Sequence, residues 1–149
     1  MAIPYNATHV AGLIVDRCEK NHETLSSAKL QTLLYFVQMQ FVMEDNTICF
    51  RDAMYAGKNG PYIPEVQDRL NDLPQGILSY ADLKARFPYE KRMDPHSMAV
   101  LYHAVDPAAA LSEEALAKVA FSQRPYRNAM ELDTKQIMIR DIRAFYRKP

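Results

Sequence analysis

Between Ser27 and about Glu44 the chain carries apolar side chains at nearly every angle a helix can present. Leu30, Leu33, Leu34, Val37 and Phe41 recur at helical spacing, and Tyr35, Phe36, Met39, Val42 and Met43 widen the apolar surface well past one stripe. A helix with one apolar stripe lies on a surface, whereas a helix apolar on most sides has to be enclosed by the rest of its domain. Ser26 suits the N-cap, because its hydroxyl can accept from an otherwise unpaired N–H of the first turn. The chain is therefore expected to wrap around this segment.

The flanking sequence supplies the wrapping elements. Val10, Leu13, Ile14 and Cys18 mark one face of a helix from about Ala7 to Lys20, with Asp16, Arg17, Glu19 and Lys20 toward water. Thr47–Phe50 and Ala53–Ala56 are β-prone and predict a small hairpin. Gly57-Lys58-Asn59-Gly60-Pro61 reads as a bend that follows it. Pro64 suits the first turn of a short helix through Leu70, and Ser79 caps another through Arg86. Asp94-Pro95 opens a helix lined by Met98, Leu101, Tyr102 and Val105, which Asp106-Pro107 is expected to stop. Ser112 caps the next, with Glu113 and Glu114 near its positive end and Leu116, Val119 and Ala120 inward. Gln123-Arg124-Pro125 reads as a turn. Asp133 or Thr134 opens a last helix on which Met138, Ile142 and Phe145 share a face. The fold class is mainly α, a bundle of about six or seven helices with a small β-hairpin, in one domain over residues 1–149.

A chain of 149 residues fits one core and buries about 70% of its unfolded surface, so it needs no staple of metal or disulfide. Cys18 and Cys49 form no CxxC and read as reduced thiols. Met1–Asn6 has no basic leader, and Gly12-Leu13-Ile14-Val15 is too short to span a membrane, so a cytoplasmic protein without a membrane partner is expected. Its 18 basic residues balance 18 acidic ones. That balance argues against a nucleic-acid coat, which needs excess Lys and Arg. A near-neutral protein is also prone to associate, with itself or with an obligate partner.

No GxSxG, HExxH, Walker A or GxGxxG occurs. His96 and His103 lie seven apart on one helix, wider than the one-turn spacing a metal favours, and read as solvent-facing. Glu65 is a candidate buried acid after the Gly-Pro bend, but no carboxylate pair has acid–base spacing. The expectation is a protein without catalysis, cofactor or metal. The last helix carries Lys135, Arg140, Arg143, Arg147 and Lys148, with 140, 143 and 147 on one face. Such a face can meet phosphate or an acidic surface, and it equally suits a helix C-terminus. Met39, Met43 and Met54 read as core filling near the central helix.

Three blocks of the chain resemble the Panacea-domain (SocA-like) family. Leu25-Ser26-Ser27-Ala28-Lys29-Leu30-Gln31-Thr32-Leu33-Leu34-Tyr35-Phe36 is similar to its opening helix, LxxLKLQKLLYFAQ. Ala56-Gly57-Lys58-Asn59-Gly60-Pro61-Tyr62-Ile63-Pro64-Glu65-Val66 resembles its AWxxGPVxPEVY. Phe121-Ser122-Gln123-Arg124-Pro125-Tyr126-Arg127-Asn128-Ala129 is similar to its THxExPWxxA. The order is the family's, and the likeness runs from about His9 to Tyr146. The chain has no tryptophan; Gly57 and Tyr126 stand where the family carries it, and Ala120-Phe121 replaces Thr-His.

The resemblance implies an antitoxin that neutralises a cognate protein toxin by binding it, and in one branch an adaptor that delivers the toxin to a cytoplasmic protease. The alternative is an interaction protein of a phage or mobile element with no toxin partner. Many members carry an extra DNA-binding segment, which is not expected here. Recognition needs an exposed patch on a rigid scaffold. Tyr55, Tyr62 and Tyr126 are the candidate anchors, because tyrosine buries large area with few rotatable bonds. Lys58, Asn59 and Arg127 are the candidate polar contacts, on turns shaped by Gly60, Pro61, Pro64 and Pro125.

Overall fold

In the computed structural model, which describes residues 4–146, the apolar run folds as predicted. It forms α2 (Ser27–Asp45), on which Leu30, Leu33, Leu34, Tyr35 and Val37 are completely shielded from solvent. Ser26 caps it, accepting from the Lys29 backbone N–H at 3.1 Å. Asn46 ends it in the left-handed conformation (φ 52°), a role that asparagine tolerates. Around it stand α1 (Ala7–Lys20), α3 (Pro64–Leu70), α4 (Tyr80–Arg86), α5 (Pro95–Ala109), α6 (Glu113–Ser122), α7 (Arg124–Met130) and α8 (Ile139–Tyr146). Strands β1 (Met54–Gly57), β2 (Gly60–Tyr62) and β3 (Gln136–Ile137) form one antiparallel sheet in the order β2-β1-β3. The fold is thus mainly helical with a small sheet. Among the described residues, no helix is long and apolar enough to cross a membrane.

Several local expectations are corrected. The hairpin pairs Met54–Gly57 with Gly60–Tyr62, so the Gly-Lys-Asn-Gly stretch is the hairpin's own loop rather than a bend beyond it. The Gln123-Arg124-Pro125 turn is instead the start of α7, because proline in a first helical turn loses no bond the helix needed. Residues 136–137 pair with β1 before the last helix begins at Ile139. Helix α5 runs through Pro107 to Ala109; the missing N–H falls in its last turn and costs a single bond there. Val119, Met43 and Glu65 are exposed rather than inward. Arg140 and Arg143 are exposed on α8, while Arg147 and Lys148 lie outside the described residues.

Polar side chains tie the shell to the central helix. Lys29 is buried, and its Nζ donates to the Ala109 carbonyl at 2.8 Å, closing the C-terminal end of α5. Arg17 of α1 holds Asp106 of α5 through Nε (2.8 Å) and Nη2 (2.7 Å), and its guanidinium lies 3.8 Å above the Tyr102 ring. The guanidinium keeps the Asp106 carboxyl below its ordinary range. Gly12 has no room for a side chain, since a Cβ there would collide with the Phe87 carbonyl where α1 meets the end of α4.

Helix α2 ends in two acids, Glu44 and Asp45, where its dipole disfavours negative charge. Both meet histidines of α5: His96 Nε2 lies 2.8 Å from Asp45, and His103 Nδ1 lies 2.8 Å from Glu44. The Asp45 hydrogen bond raises the His96 pKa above its ordinary value. A raised histidine pKa adds stability that is full below the unfolded value of about 6.5 and fades as pH climbs through the folded value. Melting temperature should therefore fall between about pH 6 and pH 8 more in the native chain than in His96→Gln. Parallel pH profiles for the two would show that this exposed pair contributes nothing.

Candidate functional site

The three blocks singled out in the sequence come together in space. The hairpin turns through Lys58 and Asn59, and Gly60 takes a φ of +135°, which side-chain-bearing residues rarely adopt. A Cβ on Gly57 would lie 2.8 Å from the Gly60 carbonyl oxygen and 2.9 Å from the Tyr62 ring. This position, where the resembled family carries tryptophan, has no space for a side chain. Pro61 is tolerated in β2 because its strand partner, Ala56, turns its own N–H away to Lys135 of the β3 side, at 2.7 Å.

The hairpin is seated on α2. Gln31 accepts from the Ile63 N–H at 3.0 Å and donates to the Ile63 carbonyl at 3.3 Å, as a neighbouring strand would. Thr32 Oγ1 stands 3.3 Å from where a Cβ of Gly60 would project. The third block docks from the other side. Tyr35 of α2 donates to Gln123 Oε1 at 2.8 Å, and the Tyr126 hydroxyl donates to the Gly57 carbonyl. Phe121 meets the Tyr126 ring edge-on at 5.1 Å.

Beside this junction lies a groove of about 860 Å³. Its walls are the hairpin tip, the loop from Asn71 to Gly76 after α3, the start of α2 and the outer face of α6. Ser26 ties two of these walls together by donating to Glu113. Of the residues expected to contact a partner, Lys58, Asn59 and Tyr62 line the groove, together with Gly60 and Pro61. Lys58 and Asn59 are exposed, and Tyr62 is half-buried against Tyr55, ring centroids 5.8 Å apart. Tyr55, also half-buried, lies outside the groove, as do Pro64 and Arg127, both exposed.

Tyr126 is the main correction. It is only 3% exposed, so it cannot serve as a surface anchor, and Pro125, expected to shape the turn that presents it, is buried with it. Burial pushes the Tyr126 phenol up to about 12. A tyrosine beside a proline looks like a surface turn in sequence. Here the proline starts a helix, and the ring points down into the hairpin. The groove's remaining walls escaped the sequence reading. Glu113 and Glu114 stood out only as favourable charges at a helix start, and nothing in the sequence set the Asn71–Gly76 loop beside them.

Reactive chemistry is sparse elsewhere. Burial pushes the Cys18 thiol up to about 12 and Cys49 well above its ordinary value, which keeps both protonated and poorly nucleophilic. Among the described residues, no group of three or more His, Cys, Asp or Glu is placed to hold a metal ion. Compared with known proteins, the chain matches no family model, no curated protein and no solved structure.

Proposed function

We propose that this chain is an antitoxin that neutralises a cognate protein toxin by direct binding, and that the hairpin tip and the groove beside it form the contact surface. The observation that carries this reading is the junction itself. The blocks that resemble the antitoxin family build a rigid seat that holds Lys58 and Asn59 out in solvent at the mouth of an open groove. Glycine, proline and buried glutamine fix the loop before any partner arrives, so little ordering cost falls on binding. The groove mixes apolar and polar lining, as protein-contact surfaces do. Delivery of the toxin to a cytoplasmic protease is a compatible extension of the same role.

The test is capture of a partner by the tagged protein in its host, followed by expression of that partner alone and together with this chain. The expected partner arrests growth alone and is silenced by co-expression. Lys58→Glu with Asn59→Asp should weaken the complex about tenfold or more, roughly 1.4 kcal/mol, without moving the melting temperature. A partner that is harmless when expressed alone would replace the antitoxin with an interaction protein of a phage or mobile element.

A further inference from the structure

The groove has two chemically different ends. Helix α6 runs along it, and each end of that helix is located by a contact. At the start, Glu113 accepts from Ser26, which places Glu113 and Glu114 beside the first turn of α2. At the far end, Phe121 packs on Tyr126, whose hydroxyl reaches Gly57, so the hairpin stands there. Lys118, one turn along from Glu114, and Lys58 of the hairpin loop both line the groove toward that end. One end is therefore anionic and the other cationic, and among the described residues none of Lys58, Lys118 and Glu114 is held in an ion pair.

The groove is also lined by amides. Asn59 of the hairpin tip and Gln75 of the loop after α3 both line the groove, both are exposed, and among the described residues neither side chain makes a hydrogen bond. An amide donates and accepts at once, which matches the free N–H and C=O groups along an extended chain. A helix has already used those groups, and a nucleic acid would be repelled by the acidic end. The partner cannot simply lengthen the sheet through β2. Pro61 brings no N–H to that edge, and Gln31 occupies both backbone groups of Ile63.

Resting on the protein-binding reading above, we infer that this groove takes an extended peptide segment of a protein partner, with an acidic side chain at the Lys58–Lys118 end and a basic one at the Glu113–Glu114 end. The peptide's backbone is met by Asn59 and Gln75, and its direction is set by charge.

The probe is a phage-displayed library of random dodecapeptides selected on the full-length protein, with enriched sequences synthesised and titrated by fluorescence anisotropy. Enriched peptides should carry one acidic and one basic residue in a constant order and spacing. Lys58→Glu with Lys118→Glu should weaken them at least tenfold, and exchanging the peptide's acidic residue for lysine should restore binding. Glu114→Lys should act in the same way on the basic residue. All three substituted side chains are exposed, and an unchanged melting temperature confirms that the variants fold. No enrichment, or enriched peptides indifferent to both charge reversals, overturns the inference. If selection fails while co-expression still silences a toxin, the groove is wrong and the antitoxin reading stands. If peptides bind as described but the partner captured from the host does not arrest growth when expressed alone, the antitoxin reading is wrong and the groove assignment stands.

Discussion

Replacing Tyr126 by alanine should lower stability by roughly 3–5 kcal/mol, because it empties a buried aromatic site rather than trimming a contact surface. The ring is 3% exposed and packed edge-on against Phe121. Its hydroxyl is the link between the third block and the hairpin, through the Gly57 carbonyl. Tyr126→Phe separates the two contributions. It keeps the ring and removes only the hydrogen bond, for a loss of about 1 kcal/mol. The neighbouring Arg127, exposed, should tolerate alanine to within about 0.5 kcal/mol. Urea unfolding of the three variants decides the matter. If Tyr126→Ala keeps its unfolding midpoint and loses only partner affinity, the side chain is a surface anchor after all, as its place beside a proline suggests.

That contrast shows which kind of information a sequence carries. The enclosed α2 was legible because an apolar surface on most sides of a helix admits one arrangement, and Leu34, with no exposed surface, lies at its centre. The caps at Ser26, Ser79, Asp94 and Ser112 were legible because each is decided within a single turn, and each hydroxyl or carboxylate accepts from the N–H three residues on. The register of the sheet was not. It depends on Gln136–Ile137, some eighty residues beyond the hairpin, and no local pattern announces a strand that short. That Lys58 and Asn59 stand exposed was legible because a tight glycine-rich loop has to project its central residues, and Tyr62 follows them along β2 into the groove wall. The other walls of the groove depend on how α6 and the Asn71–Gly76 loop approach, which is a tertiary fact. Tyr126 was misplaced for the same reason. Proline marks both turns and helix starts, and only packing tells them apart.

Gln38→Met should cost roughly 3–5 kcal/mol, although it exchanges one unbranched side chain for another of similar length. Gln38 lies on α2 and is 1% exposed. Its Oε1 accepts from the N–H groups of Cys49 (2.7 Å) and Phe50 (3.3 Å), and its Nε2 donates to the Phe50 carbonyl at 2.8 Å. Methionine would leave three backbone groups without a partner, each worth about 1–3 kcal/mol when buried. The segment can recover part of that loss only by moving toward water. Gln31 performs the same service for Ile63 with two backbone bonds, so Gln31→Met should cost less, about 2 kcal/mol. The two glutamines are seven residues apart on one helix, about 10 Å along its axis, and they serve different segments. Their effects should therefore add to within about 0.5 kcal/mol in the double variant. Hydrogen exchange provides a site-specific check. In Gln38→Met the amides of Cys49 and Phe50 should lose protection while those of Leu33 and Leu34, in the centre of α2, keep theirs relative to global stability. A wild-type unfolding midpoint in Gln38→Met, with Cys49 and Phe50 still protected, would mean that other groups hold the 47–53 segment and that the glutamine clamp is incidental to it.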